Sequence, residues 1–305
     1  MARHPVAVVG STLAGICNAM SPLVQANGPV QYCLSPAGRP KPGSYTFAAS
    51  AYTGEMMRVS FRYFRDRGWT RVGLVVSSDA TGQDGERGID ELLAEPEFSA
   101  VKLVGRAHFN PGDVSMTAQM VTLAQTKPEV VIAWTTGTAL ATILKAMVAA
   151  DVKLPVATGD GNMSVDQMEQ YQDFLPAELY IPSPTFPRHD GLYTLDPRVE
   201  KAQHEMYESL AAHHLPVDNH PANSWDATML ILTGLRDLGA DATPARLRDH
   251  IAGQTDYPGV LGLYDFKKFP QRGLGAGSLV MTRWEAKTRS FVWVSKPGGE
   301  PLPRD

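Results

Sequence analysis

The chain has 305 residues, 43% of them hydrophobic and 20% charged, which is ordinary for a globular protein and long enough to divide between two cores. With 28 Lys+Arg against 32 Asp+Glu the formal charge is -4, so duplex nucleic acid and anionic membrane surfaces gain no general electrostatic attraction. The two cysteines, Cys17 and Cys33, exclude a disulfide-dense scaffold and a paired-cysteine metal site, and leave open a single bridge between them.

The first apolar stretch, VAVVG (Val6 to Gly10), reads as a short buried strand and lacks the basic region and cleavage pattern of a signal peptide. A helix over about Leu13 to Ala26 follows, then the turn Asn27-Gly28-Pro29 and a second strand, Val30 to Leu34. Proline and glycine break the chain between Ser35 and Ser44. Thr53 to Gly68 is expected as a helix whose arginines Arg58, Arg62, Arg65 and Arg67 form a solvated face, with a docking face as the alternative. Strands at Val72 to Val76, KLVGRAHF, EVVIAW and Pro155 to Thr158 then alternate with helices, one of them over Thr138 to Ala150 and the last from Ser164. Continuous apolar strands separated by helical crossovers predict parallel sheets covered by helices, an α/β Rossmann-like layering.

After a proline-rich passage at 180 to 190 the pattern changes to long helices, about Pro197 to His213 and Ala222 to Leu238. A short helix, Thr243 to Ile251, is expected to start on a Thr243 cap with Pro244 in its first turn. SLVMTRWEAKTRSFVWVS reads as a closing antiparallel hairpin turning at Glu285 to Thr288.

Four loops follow predicted parallel strands: GSTLAG, SPAG, SSDATG and ATGDGNMS. In open α/β sheets ligands dock at such strand ends, where backbone N–H groups of the next helix are unpaired. Ser11 or Thr12 supplies a hydroxyl to a carboxylate or simply caps its helix, and Ser77, Ser78 and Thr81 carry the same ambiguity. Asp160 is either the acceptor for a ligand ammonium or an ordinary Asp-Gly turn residue. Trp134, followed by Thr135 and Thr136, is either a pocket wall or a packing residue.

No catalytic or cofactor signature accompanies these loops. The eight histidines form no HExxH, and the chain has no GxSxG, no phosphate-binding GxxxxGK[ST] and no GxGxxG. A binding protein without cofactor or metal is therefore expected rather than an enzyme. A hydrolase using Asp160 and a histidine is the distant alternative.

Taken in order, VAVVG and its helix, SPAG, YTF, RVGLVV with DATG, NPGDVS, KPEVVIAW, ATGDG, SWDATMLI and YPGVLGLYDF resemble the type I periplasmic solute-binding proteins, specifically the branched-chain amino acid binding family of ABC importers. The resemblance implies two Rossmann-like lobes with a cleft between them, lobe one from 1–52 and 183–276 and lobe two from 53–182 and 277–305, crossing near Ala51, Pro182 and Gly277. It also implies that lobe one is incomplete, because family members begin with a further strand-helix pair, and that the exposed edge favours association.

The same resemblance places ligand contacts at Ser11 and Thr12, at Ser35, Ala37 and Gly38, at Thr81, and at Asp160 as amine acceptor. Leu13-Ala14-Gly15 stands where the family is serine-rich and Thr81 where it commonly has an aromatic residue. These departures point away from leucine or isoleucine toward another small carboxylate, amide or aromatic acid. The implied function is capture of a small solute outside the cytoplasm, favouring lobe closure, and delivery to an ABC permease in the membrane. A ligand-sensing module of a regulator or receptor is the alternative.

Overall fold

The computed structural model describes residues 5–302 apart from 188, 190 and 192. The ends of two predicted segments, 1–4 and 303–305, and part of the proline-rich passage at 180–190 therefore lie outside the described residues.

In chain order the elements are β1 (Ala7–Val9), α1 (Ala14–Val24), β2 (Val30–Cys33), β3 (Thr46–Ala48), α2 (Thr53–Asp66), β4 (Arg71–Ser77), α3 (Ala80–Leu93), β5 (Lys102–Phe109), α4 (Thr117–Gln125), β6 (Val130–Trp134), α5 (Thr138–Ala149) and β7 (Val156–Thr158). They continue with α6 (Val165–Gln170), β8 (Leu179–Pro184), α7 (Pro197–Ala212), α8 (Asn219–Leu238), α9 (Pro244–Gly253), β9 (Tyr257–Pro258), β10 (Leu263–Tyr264), β11 (Leu279–Glu285) and β12 (Ser290–Trp293).

The chain forms two compact units. One comprises Met1–Tyr52, Pro184–Phe186 and Thr194–Ser278, and the other Thr53–Ser183, Pro187–Tyr193 and Leu279–Asp305. In the first, β1, β2 and β3 make a parallel sheet in that order. Every residue of β2 and β3 is buried, as expected of strands covered on both faces. β1 is one of the two edge strands, and Val9 together with Ile16 and Leu23 of α1 is exposed. Cys17 of α1 and Cys33 of β2 are joined by a disulfide, packed against Ala48 of β3.

The second unit is a seven-stranded sheet of order β12-β11-β8-β7-β6-β4-β5, parallel from β5 to β8 and closed by the antiparallel β11–β12 pair. The apolar runs of β4 and β6 lie side by side between β5 and β7, with Val72, Leu74, Val75, Val130, Ile132 and Ala133 essentially inaccessible. At roughly 25 cal/mol per Å² of apolar surface removed from water, such strands are the main source of stability.

Two sequence expectations need correcting and a third refining. β3 was missed because only three residues, Thr46–Ala48, separate a turn-rich stretch from the bend before α2. β8 runs through the proline-rich passage; its register with β7 uses only Leu179 and Tyr180, so Pro182 and Pro184 lie beyond the residues registered with that strand. The arginines of α2 form a partly solvated face that is also ion-paired. Arg58 donates to both carboxylate oxygens of Glu95 at 2.6 and 2.8 Å, and Arg62 to both of Glu97 at 2.6 and 3.0 Å. Helix starts follow the expected chemistry: the Asp79 carboxylate accepts from Gly82 N–H at 3.0 Å, and the Thr243 hydroxyl from Arg246 N–H at 3.3 Å. α8 starts earlier than expected, at Asn219 on an Asp218 cap, because Pro221 is tolerated within a first turn.

Candidate functional site

In the second unit three neighbouring parallel strands end together. Val76 of β4 is in register with Trp134 of β6, and Ala133 of β6 with Thr158 of β7. The first turn of α3 with Thr81 and the loops carrying Thr135 and Asp160 therefore leave the same sheet edge, the edge at which α/β sheets present ligand-binding loops. Thr135 and Asp160 are buried, 2% and 1% exposed, and Thr81 is half-buried.

Glycine shapes this edge by close approach. A side chain at Gly82 would place its Cβ 1.7 Å from the carbonyl oxygen of Ser77, so α3 lies against the end of β4 only because that side chain is missing. The indole of Trp134 is wedged in the same way. A Cβ at Gly85 would lie 2.0 Å from it, and one at Gly159 3.3 Å. Trp134 is 3% exposed, held between α3 and the loop that carries Asp160.

The residue that organises this edge escaped the sequence reading. Asn162 ends the short turn Asp160–Asn162, and its side-chain amide donates to the Thr135 carbonyl at 2.6 Å and to the Thr158 hydroxyl at 2.8 Å. Its carbonyl oxygen accepts from Gly137 N–H at 3.0 Å and from the Gln167 side chain at 3.1 Å. Both ends of a buried amide are thus satisfied, and the loops after β6 and β7 are tied into one rigid piece.

The first unit has its own strand-end loops. Leu34 N–H donates to the Ser11 carbonyl at 3.0 Å, joining the Gly10–Gly15 loop to the one that begins at Leu34. The Ser11 hydroxyl accepts from Leu13 N–H at 3.0 Å, so it serves its own loop, while Thr12 is exposed. Ser35, Ala37 and Gly38 are buried, and the Ser35 hydroxyl accepts from Ala37 N–H at 3.4 Å.

Two charged groups in this unit also went unnoticed in the sequence. Arg272, 7% exposed, donates to the carbonyls of Pro36 at 2.7 Å, of Ala49 at 3.4 Å, of Ser50 at 3.3 Å and of Gly38. It thereby pins the Ser35–Gly38 loop to the exit of β3. Asp226, 1% exposed, accepts from Val260 N–H at 2.8 Å, Leu261 N–H at 2.9 Å and the Tyr264 hydroxyl at 3.0 Å. Burial pushes its carboxyl up to about 6, against the opposing pull of those donors.

A cavity of about 440 Å³ in the second unit lies elsewhere. It is lined by Leu144, Met147, Pro155, Phe174 and Ala177, beside the residues that enter β7 and β8, so it is at the opposite edge from Asp160. Among the described residues no group of three His, Cys, Asp or Glu side chains is placed to hold a metal ion.

Compared with known families, residues 2–289 match the one described as Periplasmic binding protein. The chain belongs to that family. Its fold is the type I periplasmic-binding fold, two-lobed and non-catalytic, and the associated role is extracytoplasmic solute binding. Among solved structures, this binding protein is similar to an extracellular ligand-binding receptor from Rhodopseudomonas palustris HaA2, with 17% identity, 95% of this chain and 82% of that chain covered, and a TM-score of 0.79. It is also similar to the leucine-binding protein LivK from Thermotoga maritima, with 14% identity, 94% and 78% covered and a TM-score of 0.76. A third is a fatty acid ABC transporter substrate-binding protein from Thermomonospora curvata, with 14% identity, 96% and 72% covered and a TM-score of 0.70. No curated protein matches the chain by sequence. Identities this low establish the fold of this binding protein and leave its solute to the chemistry of its own loops.

Proposed function

We propose that the chain is the solute-binding component of an ABC importer, capturing a small amino acid, amide or carboxylic acid outside the cytoplasm and passing it unchanged to a membrane permease. The observation that carries this reading is the braced edge of the second unit. There Thr135 and Asp160 follow the ends of β6 and β7, Thr81 lies in the first turn of the helix that follows the adjacent β4, and Asn162 fixes the two loops. A rigid rim with few polar groups is what selective recognition of a small polar solute requires, because ordering the rim on binding would cost affinity. The Ser11–Thr12 and Ser35–Gly38 loops of the first unit are proposed to contribute their own contacts, and Trp134 to act through its packing behind Thr135. Structural relatives named for leucine and for a fatty acid support a small acid, since both solutes carry a carboxylate.

The test is calorimetry and thermal denaturation of the protein against amino acids, their amides and small aliphatic and aromatic acids. A cognate solute at a hundred times its Kd adds about 2.7 kcal/mol to stability. The solute recovered afterwards should be chemically unaltered. Failure of every member of the panel to bind, or turnover of one that does, removes the proposal.

A further inference from the structure

The cavity of about 440 Å³ in the second unit is a site that the loops at the other sheet edge do not use. α5 supplies one wall through Leu144, Met147 and Val148, and Pro155, Phe174 and Pro176 supply much of the rest. Leu144 and Met147 are buried. Val148 is 61% exposed and Ala177 is exposed too, so the cavity opens to solvent at these two lining residues.

The lining offers an entering molecule little to bond to. Pro155 and Pro176 have no N–H. The Pro155 carbonyl already accepts from Val131 N–H, and the Glu178 carbonyl from Val156 N–H, each at 3.0 Å, while Asp151 N–H and Val152 N–H donate to the Val148 and Met147 carbonyls at 3.1 and 2.9 Å. The charges at the rim are matched: Lys153 lies 2.8 Å from Asp151, and Arg67 3.5 Å from Glu178. Lys145, whose ammonium is 4.9 Å from the centroid of the Phe174 ring, lines a separate groove with Thr138 and Thr142. A charged molecule would shed water against this wall without meeting an unmatched countercharge, and a polar one would lose hydrogen bonds that it could not remake. A neutral apolar molecule gains from the same removal of water. The thioether of Met147 and the ring of Phe174 favour an aromatic ring over a saturated one.

Size and topology narrow the occupant to a small molecule. An apolar cavity of about 150 Å³ is enough to hold benzene, and small-molecule sites begin near about 300 Å³. One turn of a helix about 10 Å across fills about 420 Å³, so a protein helix could place no more than a turn here. β7 and β8, whose entries flank the cavity, each have a neighbouring strand on both sides, so no further strand can be added at this point. We propose that this cavity is a second binding site, selective for a small neutral aromatic molecule. It stands apart from the solute capture proposed above and does not depend on it.

Calorimetric titration of the protein with toluene, phenol, cyclohexanol, benzoate and benzylammonium at neutral pH tests it. Toluene and phenol should each bind at one saturable site and raise the melting temperature. Cyclohexanol should bind more weakly than phenol, and benzoate and benzylammonium at least tenfold more weakly than toluene. Val148→Trp and Ala177→Trp add bulk at exposed lining positions, so each should lower the affinity for toluene at least tenfold with little change in the melting temperature of the free protein. Absence of saturable binding by toluene and phenol, or a toluene affinity unchanged in both variants, overturns the site. Charged probes that bind as tightly as toluene overturn its selectivity for neutral molecules, and cyclohexanol that binds as tightly as phenol overturns its preference for an aromatic ring.

Discussion

The side-chain amide of Asn162 donates at 2.6 Å to the main-chain carbonyl of Thr135, twenty-seven positions earlier in the chain. That bond crosses from the loop after β7 to the loop after β6, so the position of Thr135 relative to Asp160 is set by one side chain rather than by the strands alone.

Asn162→Ala is expected to destabilise the protein by about 2–4 kcal/mol, because it strands buried partners on both sides of the amide. Asn162→Asp should be no better, since a carboxylate cannot donate to the Thr135 carbonyl. Urea denaturation of the three proteins checks this; a loss below 0.5 kcal/mol in the alanine variant, on the order of the noise for surface changes, would contradict the bracing role.

Asp226 gives the first unit a defined pH response. Its carboxyl titrates at about 6 in the fold against an ordinary value of 3.8, so the folded state holds the proton more tightly than the unfolded chain. Its contribution is fully present below the ordinary value and is lost as pH rises through about 6, amounting to about 3 kcal/mol between those limits. Denaturation of wild type and Asp226→Asn between pH 4 and 7 isolates the effect. The wild type should lose stability relative to the variant as pH rises, and a constant difference would show that the site does not titrate in this range.

The Arg58–Glu95 pair is half exposed, with side-chain exposures of 21% and 39%, and solvent screens it. The guanidinium holds the Glu95 carboxyl below its usual range, so the contribution is present above that range and fades as acid protonates it. Arg58→Ala should cost about 1 kcal/mol or less, should cost less still in 1 M NaCl, and should leave solute affinity unchanged.

The disulfide between α1 and β2 closes a loop with a sequence separation of 16, and its reduction should cost about 3 kcal/mol on chain-entropy grounds. Melting with and without reductant, compared with a Cys17→Ser, Cys33→Ser variant that should be indifferent to reductant, measures it.

Gly85→Ala puts a methyl group 2.0 Å from the indole of Trp134. Either the indole or α3 must shift, at a cost of about 1–3 kcal/mol, and the emission of the tryptophans should change. Unchanged fluorescence and stability would mean that the wedge is looser than its geometry.

The alternation of apolar strands with helices was legible in the sequence because burial on both sheet faces leaves a local signature: VAVVG, RVGLVV and EVVIAW need no distant partner to be read as covered strands. The start of α9 was legible for the same reason, since a cap is made by a residue three positions from its donor. Short strands were not: β3 offers too few residues for any period to show, and β8 is disguised by Pro182 and Pro184.

What only the tertiary structure decided is the set of buried polar partnerships. Nothing local marks Arg272 as the clamp of a loop more than two hundred positions earlier, Asn162 as the brace of Thr135, or Asp226 as the acceptor for Val260 and Leu261. The two cysteines allowed a bridge, and the fold brought Cys17 and Cys33 together. Apolar periodicity records which face of an element avoids water, a property each segment carries alone. A buried donor or charge is satisfied by whichever acceptor the folded chain delivers to it, and that pairing is written in no single stretch of sequence.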